Sequence, residues 1–334
     1  MKKCLILTIV LLIFLSIPLN IFSQELTFKI SHVNSQSDIV NLGAIYIRDR
    51  IIELSEGKIS PKVYPEGVLS GGKGLAEIEM CQQGSIEMEI TTTAYLGNLE
   101  QTMSIFSLPF LFNNIDQLIT FVKSGTPAEF EISSRLEKSG LKVLGYWPRN
   151  FRQLTNSKRP VKILDDVKGL KIRTMDDPLY VDTINLLGAN AVPIAFGELY
   201  TALQLGTVDG QENAEVTTYT NSLHEVQDFL TVWDYSVDLE PVLVNIQWWS
   251  NLPKESQTII EQAVRESIDY ESDLVKKSAQ EYREKIENSG VEIHILSYEQ
   301  KEILREEVKP IWEKYREIFG SDLLDDLVKT LDKM

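Results

Sequence analysis

The chain has 334 residues, 43% of them hydrophobic and 25% charged, with a formal net charge of −16. That length allows two domains of ordinary size, and that composition excludes disordered and fibrous classes in favour of a soluble globular fold. The acidic balance argues against nucleic acid and anionic lipid as partners, so any anionic ligand must be held by local positive groups.

The chain opens on Lys2 and Lys3, then an apolar run from Leu5 to Ile17, Pro18, and a small residue, Ser23, before Gln24-Glu25. Charge, apolar stretch and small residue in that order predict a secretory signal peptide over residues 1–23. The run is shorter than the ~20 residues of a membrane span, so cleavage and a periplasmic mature chain are expected rather than an anchor. Processing removes two lysines and leaves one cysteine, Cys81, hence no internal disulfide. Beside Met80 on an apolar helix, that thiol reads as packing.

Elements then follow in alternation. Leu26 to Ile30 alternates apolar and polar residues as a half-buried strand does. Residues 38–56 repeat apolar positions at helical spacing and stop at Gly57, and Ile59 to Tyr64 reads as a second strand. A helix is predicted over 74–83, a strand at Ile86, Met88 and Ile90, helices over 115–124 and 128–139, and a strand over 141–147. This order implies a largely parallel sheet with helices on its faces.

After Trp147-Pro148 the pattern restarts, with strands at 152–155, 170–174 and 191–194 and helices at 178–187 and 196–205. An apolar strand runs from Val242 to Trp248, and a long amphipathic helix follows from about Lys254 to about Asn288. At 1.5 Å per residue that helix can lie across two domains. A strand from Val291 to Leu296 and two terminal helices finish the chain. The expected fold is α/β, a two-lobed clamshell with a brace helix and a ligand cleft between the lobes. One lobe comprises residues 24–149 plus about 239–278, the other residues 150–238 plus about 279–334.

Catalytic and metal signatures are missing from the pattern. His32, His224 and His294 are scattered, and there is no Gly-x-Ser-x-Gly, His-Glu-x-x-His or Cys-x-x-Cys. Gly71-Gly72-Lys73-Gly74 lacks the ending of a phosphate loop and reads as a flexible turn. No enzyme, cofactor or metal is expected. Arg173 stands out in Leu170-Lys171-Ile172-Arg173-Thr174, where alternation sets Leu170 and Ile172 on one face and Lys171 and Arg173 on the other. Its planar donor fork fits a carboxylate through two parallel hydrogen bonds. The competing reading is an exposed ion pair worth about 0–1 kcal/mol. Trp147, Tyr95, Trp248 and Trp249 are candidate walls for a sugar-like ligand, competing with a role as core.

Several ordered motifs resemble the substrate-binding proteins of TRAP transporters, the tripartite ATP-independent periplasmic type that binds dicarboxylates. They are Lys62-Val63-Tyr64-Pro65-Glu66-Gly67, Leu108-Pro109-Phe110-Leu111-Phe112, Phe151-Arg152-Gln153-Leu154-Thr155-Asn156, Gly169 to Arg173, and Val208 to Asn213. The resemblance implies that Arg173 clamps a ligand carboxylate, that Arg152 is a second basic contact, and that Asn213 completes the site. It also implies an aromatic wall at Phe196, an adjoining helix beginning at Glu198, and a variable wall at Thr91-Thr92-Thr93. Two departures are Ala214 and Asn190-Ala191, where the family pattern carries prolines. The implied function is extracytoplasmic capture of a small organic acid, a dicarboxylate or sugar acid, for transfer to TRAP membrane subunits by a protein that is monomeric by default. A receptor for a membrane sensor and an exported organic-acid enzyme are the alternatives.

Overall fold

A computed structural model of the chain describes residues 26–334, so the predicted leader lies outside the described residues. Strands β1 (Lys29–Ser31), β2 (Lys62–Tyr64), β3 (Met88–Ile90) and β4 (Leu141–Pro148) come from the first half. Strands β5 (Gln153–Asn156), β6 (Lys171–Thr174), β7 (Asn190–Pro193), β8 (Gly210–Asn213) and β9 (Phe229–Val232) follow, then β10 (Leu239–Asn245) and β11 (Glu292–Ile295). They form two sheets, ordered β2-β1-β3-β10-β4 and β11-β9-β5-β8-β6-β7.

Each sheet centres one lobe, and both are mixed rather than largely parallel. β10 runs antiparallel to β3 and β4, and β5 runs antiparallel to β8 and β9. Both strands enter directly from the other lobe. The chain therefore passes between lobes from β4 to β5 and returns from β9 to β10, and those two segments run beneath the cleft.

The brace helix spans Lys254–Asn288, 35 residues, or about 52 Å. It packs on β4 and the helices Ile39–Leu54 and Ile115–Ser124 on one side and on the helix Glu215–Thr220 on the other. Arg50 pairs with Glu266 at 2.5 Å and Arg283 with Glu215 at 2.6 Å, fixing the helix to each lobe. No helix among the described residues is long and apolar enough to cross a membrane.

Two expectations change here, and one strand was not anticipated. The strand expected to reach Trp248 ends at Asn245, whose side-chain oxygen accepts from the Trp248 amide at 2.8 Å and starts the helix Ile246–Asn251. Asparagine is a strong helix N-cap, and it overrides the apolar run. Trp248 accordingly packs on Phe28 in the first lobe's core, with ring centroids 4.9 Å apart. The chain ends in three helices, Tyr298–Glu307, Lys309–Phe319 and Ser321–Leu331, divided at Pro310 and at Gly320, which takes a left-handed φ of 93°. The second of them touches the helix Pro178–Leu186 and the third touches Pro127–Leu136, so the tail binds both lobes. That strand, β8, is a buried run of wholly polar Gln211-Glu212-Asn213 after Gly210, which hydrophobic periodicity does not reveal.

Candidate functional site

A cavity lies between the lobes. Val33, Asn34, Thr92 and Tyr95 line it from the first lobe, and Arg173, Met175, Phe196 and Asn213 from the second. Arg149, Asn150 and Arg152 come from one crossing segment, and Asp238 and Glu240 from the other.

Arg173 sits in β6 between β7 and β8, in register with Val192 and Gln211. Ile172 faces the core, so alternation turns the next side chain toward the cleft. The guanidinium is fully buried; its Nε donates to the Ile194 carbonyl at 2.8 Å. Nη1 and Nη2, both buried, have no hydrogen-bond partner among the described residues. The Phe196 ring lies 5.9 Å from Cζ, close enough for a cation–π contact. Burial pulls the Arg173 pKa below its ordinary value, against the pull of Tyr95. The residue thus presents two strong donors in a desolvated cleft.

Arg152 is in a different state. Its Nε and Nη2 grip the Glu212 carboxylate, Nη1 donates to Asp238 at 2.7 Å, and Nη2 also reaches Asn213 Oδ1 at 3.1 Å. Tyr235 donates to Glu212 at 3.0 Å and Tyr180 to Asp238 at 2.7 Å. Burial opposes the Arg152 charge, but Glu212, Tyr180 and Asp238 outweigh it and raise the pKa. Arg152 therefore borders the cavity with its donors already engaged, chiefly in holding Asn213 and the β8 carboxylate. Asn213 also donates to Gln211 at 2.5 Å, which fixes its orientation.

Six polar residues that line the cavity, Asn34, Arg149, Asn150, Thr217, Asp238 and Glu240, are absent from the sequence-based set. Arg149 donates to Asp38 at 3.0 Å and to Thr217 at 2.7 Å, and its Nε lies 3.4 Å from Glu240. Asp38 also caps the helix Ile39–Leu54 through the Val40 amide. Asp238 and Glu240 sit two apart at the start of β10. The spacing Arg149-x-x-Arg152 beside Trp147-Pro148 and the pattern Asp238-x-Glu240 were the available signals, since both mark charge on a segment that crosses between lobes.

Two expected site residues lie elsewhere. Trp147 is wholly buried in the first lobe's core and donates to Ser267 at 2.8 Å, so it supports the brace helix rather than a ligand. Glu198 is solvent-exposed outside the cavity, because the 3-10 turn Phe196–Glu198 points it outward. Thr92 is in the cavity wall, and its oxygen caps the helix Thr93–Leu96, which leaves its hydroxyl hydrogen free to donate inward. Cys81 is buried as packing.

The lobes meet over the cavity. Gly197 donates to the Gly72 carbonyl at 3.3 Å, and Asn98 donates to the Asp176 carbonyl at 2.6 Å. A Cβ on Gly72, which has a left-handed φ of 79°, would stand 3.1 Å from the Gly197 Cα. The glycine turn read as flexible is the place where the two backbones touch. Ala214 adopts φ −61° and ψ 153°, close to proline's fixed value, and it follows an extended residue. Ala214→Pro is expected to stabilise the chain by about 0.4–1 kcal/mol, raising the urea midpoint. A lowered midpoint would contradict that geometry.

Buried ionisable groups set a pH dependence. Burial pushes Glu240 up to about 8 and Asp177 up to about 6, and it pulls His32 down to about 4. The two acids keep their protons in the folded chain while the unfolded chain releases them near the ordinary values of 4.5 and 3.8. Their contribution is complete below those values and is lost as pH rises to about 8. His32 acts oppositely, losing stability as pH falls from 6.5 toward 4. Summed over these three groups, calorimetric melting of the ligand-free chain is expected to fall between about pH 4.5 and about pH 8. A melting temperature that climbs through that range would count against these assignments.

Residues 30–318 match the family model described as bacterial extracellular solute-binding protein, family 7. The C4-dicarboxylate-binding protein DctB of Bacillus subtilis is 30% identical over 309 residues, covering 92% of this chain and 87% of that protein. The 2,3-diketo-L-gulonate-binding periplasmic protein YiaO of Escherichia coli is 31% identical over 271 residues, 81% of each chain. Among solved structures, the sugar acid binding protein DctPAm of Advenella mimigardefordensis, in complex with galactonate, superposes with a TM-score of 0.88. It is 28% identical and covers 92% of this chain and 98% of that one. With the two-lobed fold and a family match across nearly the whole described chain, the protein belongs to the DctP family of bacterial extracellular solute-binding proteins, the receptors of TRAP transporters.

Proposed function

We propose that the chain captures a small organic acid outside the cytoplasm, with Arg173 on the solute carboxylate, and delivers it as a monomer to TRAP membrane subunits. The observation that carries this reading is the Arg173 fork: fully buried at the cleft, aimed past Phe196, and with both terminal nitrogens unpartnered among the described residues. A buried cation without a counter-charge is strongly unfavourable, by several kcal/mol after relaxation. A carboxylate removes that penalty through charge-assisted hydrogen bonds. The solute therefore favours the closed cleft by differential affinity, and closure joins Gly72 to Gly197 and Asn98 to Asp176. The names of relatives that bind C4-dicarboxylates, 2,3-diketo-L-gulonate and galactonate support an acid as the solute class.

The test is a thermal-shift screen of the mature chain against organic acids, sugar acids, neutral sugars and amines, followed by titration calorimetry of the hits. Saturable one-to-one binding restricted to carboxylates is expected. Binding of neutral sugars or amines with no carboxylate among the hits would overturn the proposal.

A further inference from the structure

The identity of the rest of the solute can be narrowed by asking which cations of the cavity are free to receive an anion. Three guanidinium groups reach it: Arg149, Arg152 and Arg173. Arg152 has Glu212 on one edge and Asp238 on the other. Arg149 has Asp38 on one edge and Glu240 beside its Nε. Neither can turn to a solute carboxylate without leaving a buried carboxylate of this chain unpaired, which is strongly unfavourable. Arg173 has no acid within ion-pair distance in the described chain. The cavity therefore offers one uncompensated cation, enough for a single carboxylate.

The opposite wall argues the same way. Asp238 and Glu240 both line the cavity, so a second solute carboxylate would face acids rather than a free base. Hydroxyl groups suit that wall, because each can donate to a carboxyl oxygen. Thr92 adds a hydroxyl able to donate in return, and Phe196 and Tyr95 offer faces for a carbon chain. Resting on the Arg173–carboxylate reading, we infer that the site selects a polyhydroxylated monocarboxylate, an aldonate- or uronate-type sugar acid, over a dicarboxylate. Arg173 takes its one carboxylate, and Glu240 and Asp238 take hydroxyls. The curated relatives include binders of both solute kinds, so the assignment stands on this chain's own charge pairing.

Titration calorimetry of the mature chain tests it with galactonate, gluconate, glucuronate and galacturonate against succinate, malate and fumarate, with galactose as the uncharged control. At least one sugar acid is expected to bind about 100-fold more tightly than any of the dicarboxylates, and galactose is expected not to bind. A dicarboxylate that equals or exceeds the sugar acids overturns the inference and leaves Arg173 as a carboxylate anchor. Galactose binding as well as the sugar acids, or no acid binding at all, overturns the anchor and the inference together. Glu240→Leu, checked for native folding by circular dichroism, should shrink the sugar-acid preference by about 10-fold, since it removes the carboxyl oxygens that accept hydroxyls from the distal part of the solute. An unchanged preference removes Glu240 from the assignment.

Discussion

Arg173→Met is expected to weaken binding of the acid by on the order of 10²–10⁴-fold while leaving the ligand-free fold intact. Two hydrogen bonds to a charged partner contribute about 1.5–3 kcal/mol each, and every 1.4 kcal/mol is about a factor of ten. In the ligand-free chain the same change removes a buried guanidinium whose Nη1 and Nη2 have no partner among the described residues. The melting temperature should therefore hold or rise. Arg173→Lys keeps the charge and loses the planar fork, so it should fall well short of wild type. Titration calorimetry beside scanning calorimetry reads both quantities. Retained affinity in Arg173→Met would remove the clamp, and a collapse in melting temperature would mean that the residue holds the fold.

The neighbouring arginine should behave in the opposite way. Arg152→Met leaves Glu212 and Asp238 buried without their shared cation, a loss of about 3–5 kcal/mol. For a chain of this size that is a drop on the order of 10 °C in melting temperature. A binding defect would follow from the loosened Asn213, which accepts from Arg152, rather than from a lost solute contact. Adding Glu212→Gln to Arg152→Met should recover part of the stability, because the stranded charge goes with it. An Arg152→Met chain as stable as wild type but unable to bind would restore Arg152 to the role implied by the motif resemblance.

These two arginines show what a sequence conveys about such a site. Alternation in β6 was legible, and with it the direction of Arg173, because Ile172 must face the core. The partners of Arg152 were not legible, since Glu212 lies on β8 and Asp238 leads into β10, strands brought together only by the sheet order. A polar strand such as Gln211-Glu212-Asn213 carries no hydrophobic period, so its burial escapes pattern reading. Trp147 illustrates the converse. As an aromatic side chain it was a candidate wall for a sugar-like ligand, whereas its indole is buried against the brace helix through Ser267. The helix Lys254–Asn288 was legible to its ends because Pro253 and Gly290 punctuate a long amphipathic run. The antiparallel β5 and β10 were not, because strand direction depends on the two passages between lobes and local pattern is blind to it.

The carboxylate anchor is most directly tested by the crystal structure of the mature chain with the tightest-binding acid from the calorimetric panel. Both Nη atoms of Arg173 should lie at about 2.7–2.9 Å from the oxygens of a single solute carboxylate, with Arg152 still paired to Glu212 and Asp238. A solute whose carboxylate sits on Arg149 or Arg152, with Arg173 facing only water, would contradict it.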